Sequence, residues 1–335
     1  MSISTPVLMD SQKAAKYLAA ISGIRIMVIG DLMVDEFIWG KVNRISPEAP
    51  VPVVSVTKQS LAPGGAANVV NNIRSLGGQV KVAGVVGDDA MGEWLINALK
   101  KSGADPVAVL ADKGRKTTLK TRVVAHSQQV VRIDREDLEP LSKGLKADLV
   151  QQIKNHIDDC DAIIIEDYSK GVIQEDVLDE IQTLTSDKKK LVLVDPKVFY
   201  PKQFRGMNIL TPNHHEAGAF AGIPVTNEES LMKVGRQLLD VLTGSSLLIT
   251  RGEEGMSLFE ANGDITHIPT QAREVFDVSG AGDTVIATMA CVMAAGGSMK
   301  EASILANYAA GIVVGKVGVA TCSPQEIIRI LEGRL

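Results

Sequence analysis

The sequence predicts an α/β fold whose central sheet is mainly parallel and carries helices on both faces. The first observation is an alternation of short β-branched runs with helical stretches in the second half of the chain. These runs occupy residues 162–165, 191–194, 209–210 and 246–250. The second observation is an apolar run at residues 24–30 that ends at a glycine, as a buried strand does. Together they are typical of right-handed βαβ units, in which helices cover a parallel sheet.

The other elements are assigned in chain order from apolar periodicity and turn residues. They are a helix at residues 11–20, a strand at 80–86, and helices at 91–101, 285–294 and 299–315. A last helix should begin at Pro324, because Ser323 is a good N-cap and proline suits the first helical position. A turn at Gly64 and Gly65 is expected to open one more helix.

Composition excludes several classes of protein. The chain has 335 residues with 45% hydrophobic content, which is enough for one large domain or two smaller ones. Its net charge is -5 and it has no long basic run, which argues against a nucleic-acid partner. Residues 1–16 lack signal-peptide features, and no apolar stretch approaches the roughly 20 residues that span a bilayer. We therefore expect a cytoplasmic protein that binds neither nucleic acid nor membrane.

Two segments interrupt the α/β pattern. Residues 45–56 carry three prolines and then alternating valines, which excludes a helix and favours an edge strand or a flap. Residues 117–134 are predicted to form a hairpin around His126 and Ser127. Both segments together predict a small β-sheet lid. We expect the lid segments at about residues 36–60 and 112–135, inserted into a single domain of residues 1–335.

Polar residues follow each predicted strand. The carboxyl ends of parallel strands meet at one edge of a sheet, where open α/β sheets bind their ligands. Asp31 and Asp35 follow the first strand and are candidates for contacts with sugar hydroxyls. Asn68 lies one turn into the helix after Gly64 and Gly65, where its amide can donate and accept hydrogen bonds toward a polyol. Later strands are followed by polar groups at residues 166–171, 195–197, 211–216 and 250–255.

The strongest functional signal is the stretch at residues 275–284, which runs into an apolar helix. Small residues at 280–282 leave backbone amides uncovered, and the start of the helix adds unpaired N–H groups and the positive end of its dipole. This combination predicts a phosphate site. Asp283 lies where the local field is positive, so we expect its carboxylate to be ionised at neutral pH and able to accept a proton from a substrate hydroxyl.

Other interpretations of these residues are open. An Asp or Ser before a helix is most often an N-cap, and the polar strand ends consist of ordinary loop residues. A dinucleotide-dependent oxidoreductase is also doubly wound, but its Gly-x-Gly-x-x-Gly fingerprint should follow the first strand, where only Gly30 and Asp31 stand. A non-enzymatic sugar-binding regulator would keep the residues that contact hydroxyls and would need no base, so Asp283 counts against it.

Taken in order, the motifs resemble those of the ribokinase-like sugar kinases over nearly the whole chain. The matching positions are Gly30–Asp31 with Asp35, Gly64–Gly65 with Asn68, Asn213 with Glu216, residues 250–252, and residues 277–283. The resemblance implies a ribokinase-like three-layer α/β/α sandwich with a β-lid that often builds a homodimer. It also implies ATP as the phosphoryl donor, Mg²⁺ as the bridging ion and a small-molecule sugar phosphate as acceptor. Binding of a monovalent cation is left open.

The resemblance also implies a role for individual residues. Asp283 would be the base that takes the proton of the sugar hydroxyl. The anion hole for the transferring phosphoryl group would be formed by Gly280, Ala281 and Gly282. The residues implied to organise Mg²⁺ are Asn213 and Glu216, and those implied on the nucleotide side are Thr250, Gly252 and Asn307. The sugar-contacting positions would be Asp35, Gly64, Gly65 and Asn68.

Two features depart from relatives of this kind. The family turn usually has Thr after its first Asp, where this chain has Val278 and Ser279. That difference touches neither the base nor the small residues. Bifunctional members carry a nucleotidyltransferase domain after the kinase, whereas this sequence stops shortly after its last helix, so a complete chain would be a kinase only.

More narrowly, residues 44–53, 167–171 and 195–197 resemble the kinases that phosphorylate D-glycero-β-D-manno-heptose 7-phosphate at its anomeric hydroxyl. The implied product is the 1,7-bisphosphate, which goes on to ADP-heptose for lipopolysaccharide. The alternative is a family kinase for another sugar, sugar phosphate or nucleoside. A substrate that already carries a phosphate needs a cationic clamp. The candidates are Arg44, Arg122, Arg132, Lys170 and Lys197.

Overall fold

The structure is a computed structural model that describes residues 9–126, 128–186, 188–272 and 275–333. Its strands are β1 (Arg25–Gly30), β2 (Leu32–Ile45), β3 (Pro52–Gly65), β4 (Gln79–Gly87), β5 (Asp105–Asp112), β6 (Thr118–Ala125), β7 (Gln128–Arg135), β8 (Ala162–Glu166), β9 (Leu191–Asp195), β10 (Ile209–Leu210), β11 (Ser246–Thr250), β12 (Met256–Phe259) and β13 (Ile265–Ile268). Its helices are α1 (Ser11–Ala20), α2 (Ala66–Ser75), α3 (Ala90–Lys101), α4 (Lys143–His156), α5 (Glu175–Ser186), α6 (Pro201–Phe204), α7 (His214–Ala221), α8 (Glu228–Leu242), α9 (Ala281–Ala294), α10 (Met299–Val314) and α11 (Pro324–Leu331).

The main sheet has the strand order β13-β12-β11-β10-β9-β8-β1-β4-β5 within the described residues. From β11 to β5, every pair of neighbouring strands is parallel. These strands are strongly apolar: all five residues of β8 are buried, and so is every residue of β1 after Arg25. A parallel sheet covered by helices on both faces requires such burial. The predicted, mainly parallel sheet is confirmed.

Strands at both edges of the main sheet were not assigned from the sequence. β5 extends one edge in parallel with β4, and β12 and β13 form an antiparallel hairpin at the other edge. β12 and β13 have only four residues each. Runs this short carry too little period-two pattern to be recognised, which explains why the hairpin was missed.

Helices cover both faces of the main sheet. One buried core joins one face to α1, α2, α9 and α10, and a second core joins the opposite face to α4, α5 and α8. β1 contributes Ile26 and Val28 to the first core and Met27 and Ile29 to the second, as the alternation of side chains along a strand requires. The predicted three-layer α/β/α architecture is confirmed. None of the described helices combines the length and the hydropathy needed to cross a bilayer.

A smaller sheet with the order β3-β2-β6-β7 rises from the carboxyl edge of the main sheet. β2 begins two residues after β1 ends, and it pairs antiparallel with β3 and parallel with β6. The proline-rich segment supplies the turn and the start of β3, which is an edge strand as predicted. The predicted β6–β7 hairpin also forms, with His126 at φ 50° next to the turn. Ser127 lies outside the described residues.

The expected turn at Gly64 and Gly65 is instead the last part of a strand. Both glycines belong to β3, where they pair with Met33 and Leu32, and α2 begins immediately afterwards. A Cβ atom on Gly64 would collide with the carboxylate of Asp35 on the neighbouring strand. Glycine is therefore needed here for close approach to Asp35, in addition to any role in opening the helix.

Candidate active site

The N-terminus of α9 faces the carboxyl edge of the main sheet, where it shares a cavity with the ends of β8 and β9. Gly280 occupies the N-cap position at φ 79°, and no side chain of the described residues caps the helix. By contrast, side chains cap α1, α3, α4, α7, α8, α10 and α11. The amide of Ala281 donates to the carbonyl of Val278 at 3.3 Å, whereas the amides of Gly282 and Asp283 have no acceptor among the described residues and could bind an anion. A Cβ atom on Gly280 would lie 2.6 Å from Nδ2 of Asn68, so a larger residue does not fit.

Asp283 is buried in the first turn of α9, with 4% of its surface exposed. Its Oδ2 accepts a hydrogen bond from Nδ2 of Asn68 (2.6 Å), and its Oδ1 accepts one from the hydroxyl of Tyr168 (2.8 Å). Burial raises the pKa of Asp283 above its ordinary value, while the two hydrogen bonds lower it. The expectation from the sequence considered only the helix terminus and left out this desolvation.

Two further carboxylates lie beside Asp283. Oxygen atoms of Glu166, Asp195 and Asp283, which we call the acidic group, lie within 4.8 Å of one another. Both carboxylate oxygens of Glu166 are buried and have no hydrogen-bond partner among the described residues. Burial, followed by the charge of the neighbouring carboxylates, raises the pKa of both Glu166 and Asp195 well above the ordinary values. An all-oxygen group with unsatisfied buried atoms suits a hard divalent cation. The sequence placed Glu166 and Asp195 at strand ends without assigning either of them to the metal.

Asn213 and Glu216, the residues predicted to organise the metal, form a reciprocal cap at the start of α7. The Asn213 side chain accepts hydrogen bonds from the amides of His215 and Glu216, and the Glu216 carboxylate accepts one from the Asn213 amide. Lys197 donates to the other carboxylate oxygen of Glu216 at 2.7 Å. Asn213, Glu216 and Lys197 line the same cavity as Asp283. Lys197 therefore lies beside Glu216, in the same cavity as the acidic group. The sequence had suggested it as part of a clamp for the sugar phosphate.

A cavity of about 450 Å³ adjoins the N-terminus of α9 on the side of α10. Its lining includes Thr250, Gly252 and Asn307, the residues predicted on the nucleotide side, together with Ala281 and Gly282. Small and apolar side chains form most of the remaining wall. Asn307 also donates a hydrogen bond to the carbonyl of Pro269 at 2.6 Å. Thr250 and Gly282 line both this cavity and the smaller one around Asp283, so the two cavities meet there.

On the other side of Asp283, the small sheet presents the predicted sugar-contacting residues. Asp35 on β2 is buried and forms an ion pair with Arg122 on β6. The Arg122 guanidinium also lies over the ring of Phe37, 5.4 Å from its centroid. Asn68 uses its amide nitrogen on Asp283, and its buried Oδ1 has no hydrogen-bond partner within the described residues. That oxygen can accept a hydrogen bond from a ligand hydroxyl.

Lys120 is a cationic residue of the site that the sequence analysis missed. Its ammonium lies 5.2 Å from the ring centroid of Tyr168. Burial, and then the positive charge of Lys170, lowers the pKa of Lys120. Lys170 itself forms an ion pair with Glu136 at 2.8 Å. Strand periodicity could have found Lys120, because it precedes Arg122 by two residues on β6 and shares its face of the sheet.

Three residues proposed from the sequence occupy other environments. Asp31, a candidate for sugar hydroxyls, accepts hydrogen bonds from backbone amides in the 168–172 segment. Arg44 is exposed, nine residues from Asp35 along β2, which corresponds to about 30 Å. Within the described residues, Arg44 therefore lies far from the candidate site of the same chain. Arg132 lies directly across from Arg122 on β7, but it is exposed and forms an ion pair with Asp134.

The chain is similar to known carbohydrate kinases in sequence. The profile of a family described as pfkB family carbohydrate kinase matches residues 24–326. The chain is 46% identical over 320 residues to the Bifunctional protein HldE of Trichlorobacter lovleyi, and 45% identical over 320 residues to the protein of the same name from Geobacter sulfurreducens. Each alignment covers 96% of this chain and 65% of the relative, so the chain spans about two thirds of these proteins.

Solved structures show the same fold. A ribokinase from Arabidopsis thaliana, complexed with ribose and ATP, superposes with a TM-score of 0.74 at 19% identity and covers 92% of this chain and 99% of its own. Phosphofructokinase-2 from Escherichia coli, in complex with substrates and products, gives a TM-score of 0.77 at 18% identity over 92% of this chain and 99% of its own. At these identities the likeness concerns the fold alone.

Proposed function

We propose a substrate for this chain from the premise that it belongs to the pfkB family of carbohydrate kinases. It is an ATP-dependent sugar kinase, and its reaction requires a divalent metal. In our proposal, the acceptor is the anomeric hydroxyl of D-glycero-β-D-manno-heptose 7-phosphate. The product is then the 1,7-bisphosphate, a precursor of ADP-heptose for lipopolysaccharide.

The observation that carries the proposal is a group of three cationic side chains on the sugar side of Asp283, which we call the cationic group: Lys120, Arg122 and Lys170. Arg122 is paired with Asp35 and Lys170 with Glu136, whereas no carboxylate among the described residues lies within ion-pair distance of Lys120. Burial and the charge of Lys170 lower the pKa of Lys120, although the charges of Asp35, Asp134 and Glu136 raise it, so the half-buried ammonium is only partly compensated in the free protein. A phosphate on the sugar would supply the missing negative charge.

The sequence relatives support the same substrate. Two of them carry the name Bifunctional protein HldE, and their similarity extends over 96% of this chain. The segments at residues 44–53, 167–171 and 195–197 resemble those of heptose 7-phosphate kinases. The segment at 167–171 contributes Lys170 to the cationic group, so the motif and the charge point to the same acceptor.

In the proposed mechanism, Asp283 accepts the proton of the attacking hydroxyl. The free amides at the start of α9 stabilise the negative charge of the transferring phosphoryl group. Asn68 accepts a hydrogen bond from the sugar, Asp35 contacts a second hydroxyl, and the small sheet excludes water. Positioning and charge neutralisation are the main requirements of phosphoryl transfer, and this arrangement provides both.

Mg²⁺ is the divalent ion we propose, and Glu166 and Asp195 are the carboxylates best suited to hold it. Glu216 is the third candidate, because its charge acts on Asp195. When bound, the ion neutralises charge on the ATP phosphates. It would also relieve the repulsion among the buried carboxylates, which is the reason the residues fit an ion at this place.

A substrate panel tests the proposal. ATP consumption would be measured with heptose 7-phosphate, fructose phosphates, ribose and adenosine at equal concentrations. We expect the highest kcat/KM with heptose 7-phosphate and little turnover with the two acceptors that lack a phosphate. A preference for ribose or adenosine would contradict the proposed role of the cationic group and favour the alternative, a family kinase for another acceptor.

We also propose a homodimer that forms through the small sheet. Val131 and Ile133 on β7 and Val56 on β3 are exposed apolar residues of that sheet, at 46%, 43% and 60% of their surfaces. A partner subunit would cover this apolar surface. Light scattering should give the mass of a dimer, and Val131→Lys with Ile133→Lys should give a monomer. Because ATP is the donor, we place the reaction in the cytoplasm.

A further inference from the structure

Tyr168 makes a contact that the reaction described above does not use. Its hydroxyl donates to Oδ1 of Asp283 at 2.8 Å, while Asn68 donates to Oδ2 at 2.6 Å. Each oxygen of the proposed base is therefore held by one side chain, from the segment after β8 on one side and from α2 on the other. A carboxylate held at both oxygens cannot rotate without breaking a hydrogen bond.

The backbone around Tyr168 is itself fixed. Asp31, buried at the end of β1, accepts hydrogen bonds from the amides of Tyr168 (2.8 Å), Lys170 (3.0 Å) and Val172 (3.2 Å). Between them, Ser169 adopts φ 55°, a left-handed conformation that costs a residue other than glycine about 1 kcal/mol or more. Strain of this kind persists only where the surroundings determine the backbone, so the direction of the Tyr168 side chain is set by the fold.

The protonation state of Tyr168 is equally well defined. Burial, followed by the negative charge of Asp283, raises the pKa of the Tyr168 hydroxyl well above its ordinary value. The hydroxyl therefore stays protonated and can only donate to the carboxylate. Lys120 lies over the Tyr168 ring, 5.2 Å from the centroid, and helps to hold the ring in place.

We propose that Tyr168 is a positioning residue for the base: its hydroxyl holds Oδ1 of Asp283 and directs the remaining lone pairs of the carboxylate toward the acceptor hydroxyl. This inference rests on the proposed function, in which Asp283 is the base. A carboxylate that has lost one of its two hydrogen bonds is less often aligned with the acceptor, so Tyr168 should act on kcat and leave the binding of both substrates unchanged.

The test is the split between kcat and KM in Tyr168→Phe. Asn68, which holds the other oxygen of Asp283, remains in this variant. We expect kcat to fall about 10- to 100-fold, as is typical for loss of a hydrogen bond to a charged group, with ATP binding and the KM for the acceptor unchanged. A general loosening of the site would instead raise the KM values as well.

Tyr17→Phe is the matched control, because the Tyr17 hydroxyl also donates to a carboxylate, that of Glu301, at 3.0 Å. It lies on α1, away from the proposed site, so its kcat and KM values should equal those of the unmodified chain. A second variant carries 4-aminophenylalanine at position 168, a weaker hydrogen-bond donor of nearly the same shape. Its kcat should fall at unchanged KM, and an unchanged kcat would overturn the proposal, so this variant decides the question if Tyr168→Phe does not fold.

Combination with Asp283→Asn separates this inference from the proposed function. If Asp283 is the base and Tyr168 acts through it, Tyr168→Phe should lower turnover no further in the Asp283→Asn background. An inactive Asp283→Asn variant beside a Tyr168→Phe variant with an unchanged kcat would overturn the role of Tyr168 alone. An active Asp283→Asn variant would overturn the proposed function as well.

Discussion

The two sides of Asp283 are built in different ways. The side on which we propose the nucleotide consists of the uncapped start of α9 and a cavity lined largely by small and apolar residues. The proposed sugar side consists of charged and polar side chains from β2, β6, α2 and the segment after β8. Backbone amides recognise a phosphate of any ligand, whereas the arrangement of side chains distinguishes one acceptor from another. We infer that the α9 side is common to sugar kinases of this fold and that the small-sheet side determines the substrate.

The largest expected effect concerns the point where the two sides meet. Asp283→Asn removes the proposed base and keeps the size and most contacts of the side chain. Turnover should fall about 100- to 10,000-fold, because a positioned general base contributes a factor of this size. ATP affinity should be nearly unchanged, because the amides of α9 remain. Steady-state kinetics and calorimetric titration with ATP measure the two quantities.

Asp159→Asn is a suitable control for that experiment. Asp159 contacts Lys81 and Arg25, at the end of the main sheet opposite the proposed site. Its variant should retain full turnover. If both variants turn over at equal, near-normal rates, Asp283 is not the base. The proposed division into a nucleotide side and a sugar side around it would then fail.

The next effect should be confined to the sugar side. Lys120→Met removes the ammonium but keeps the apolar stem of the side chain. We expect KM for the phosphorylated acceptor to rise about 10- to 100-fold, as for loss of a charge-assisted hydrogen bond, and KM for ATP to stay the same. A rise in both KM values would mean that the two sides are not independent.

Lys81→Met provides the matched control for the lysine variant. Lys81 is also largely buried, with 20% of its side chain exposed, but it pairs with Asp159 at the far end of β4. This variant should lose some stability and keep both KM values. If Lys120→Met raises only the KM for the phosphorylated acceptor and Lys81→Met raises neither KM, the result supports binding of the acceptor phosphate by the cationic group.

The smallest effect is on stability and concerns the acidic group beneath the site. Glu166→Gln replaces a buried carboxyl group that has no hydrogen-bond partner among the described residues, so the free energy of unfolding without ligands should rise by about 1–3 kcal/mol at neutral pH. Since the pKa of Glu166 is raised in the folded protein, the cost of its charge appears as pH rises above the ordinary carboxyl range. The gain should therefore vanish near pH 4, roughly the ordinary value for Glu. Chemical denaturation at several pH values measures it.

Glu301→Gln should show the opposite pH dependence. Although burial opposes the shift, hydrogen bonds from Lys13 and Ser298 lower the pKa of Glu301 to about 2. A lowered pKa means that the charged form stabilises the fold above the ordinary carboxyl range and loses this effect as pH falls toward 2. The variant should thus be less stable than the unmodified chain at neutral pH. If the free energy of unfolding of Glu166→Gln and that of Glu301→Gln depended on pH in the same way, the environments assigned to Glu166 and Glu301 would be wrong.

Contiguous features of the site could be predicted from the sequence, and features assembled across the fold could not. The stretch at 280–283 predicts an anion site because small residues, a helix start and a carboxylate occur together in one segment. Arg122 meets Asp35 only through the pairing of β2 with β6, and Lys120 meets Tyr168 only because the segment after β8 packs against β6. No local pattern specifies either contact. The same limit explains Asp31: its position after β1 was correct, but its oxygens are used by amides of a segment more than 130 residues away.

Burial is the second property that the sequence did not supply. The dipole of α9 suggested a low pKa for Asp283, but desolvation acts in the opposite direction, and its size depends on how deeply β8, β9 and α9 enclose the carboxylate. Likewise, Asn213 and Glu216 matched a metal motif, while their side chains also cap α7. Glu166 and Asp195 emerged as metal candidates only when neighbouring parallel strands brought them together.

Phosphorus NMR of the product formed from ATP and D-glycero-β-D-manno-heptose 7-phosphate tests the proposed reaction most directly. We predict a second phosphate signal coupled to the anomeric proton, with the original 7-phosphate signal retained, and its loss in Asp283→Asn. No new signal, or a new phosphate coupled to a proton other than the anomeric one, would contradict the proposed acceptor hydroxyl.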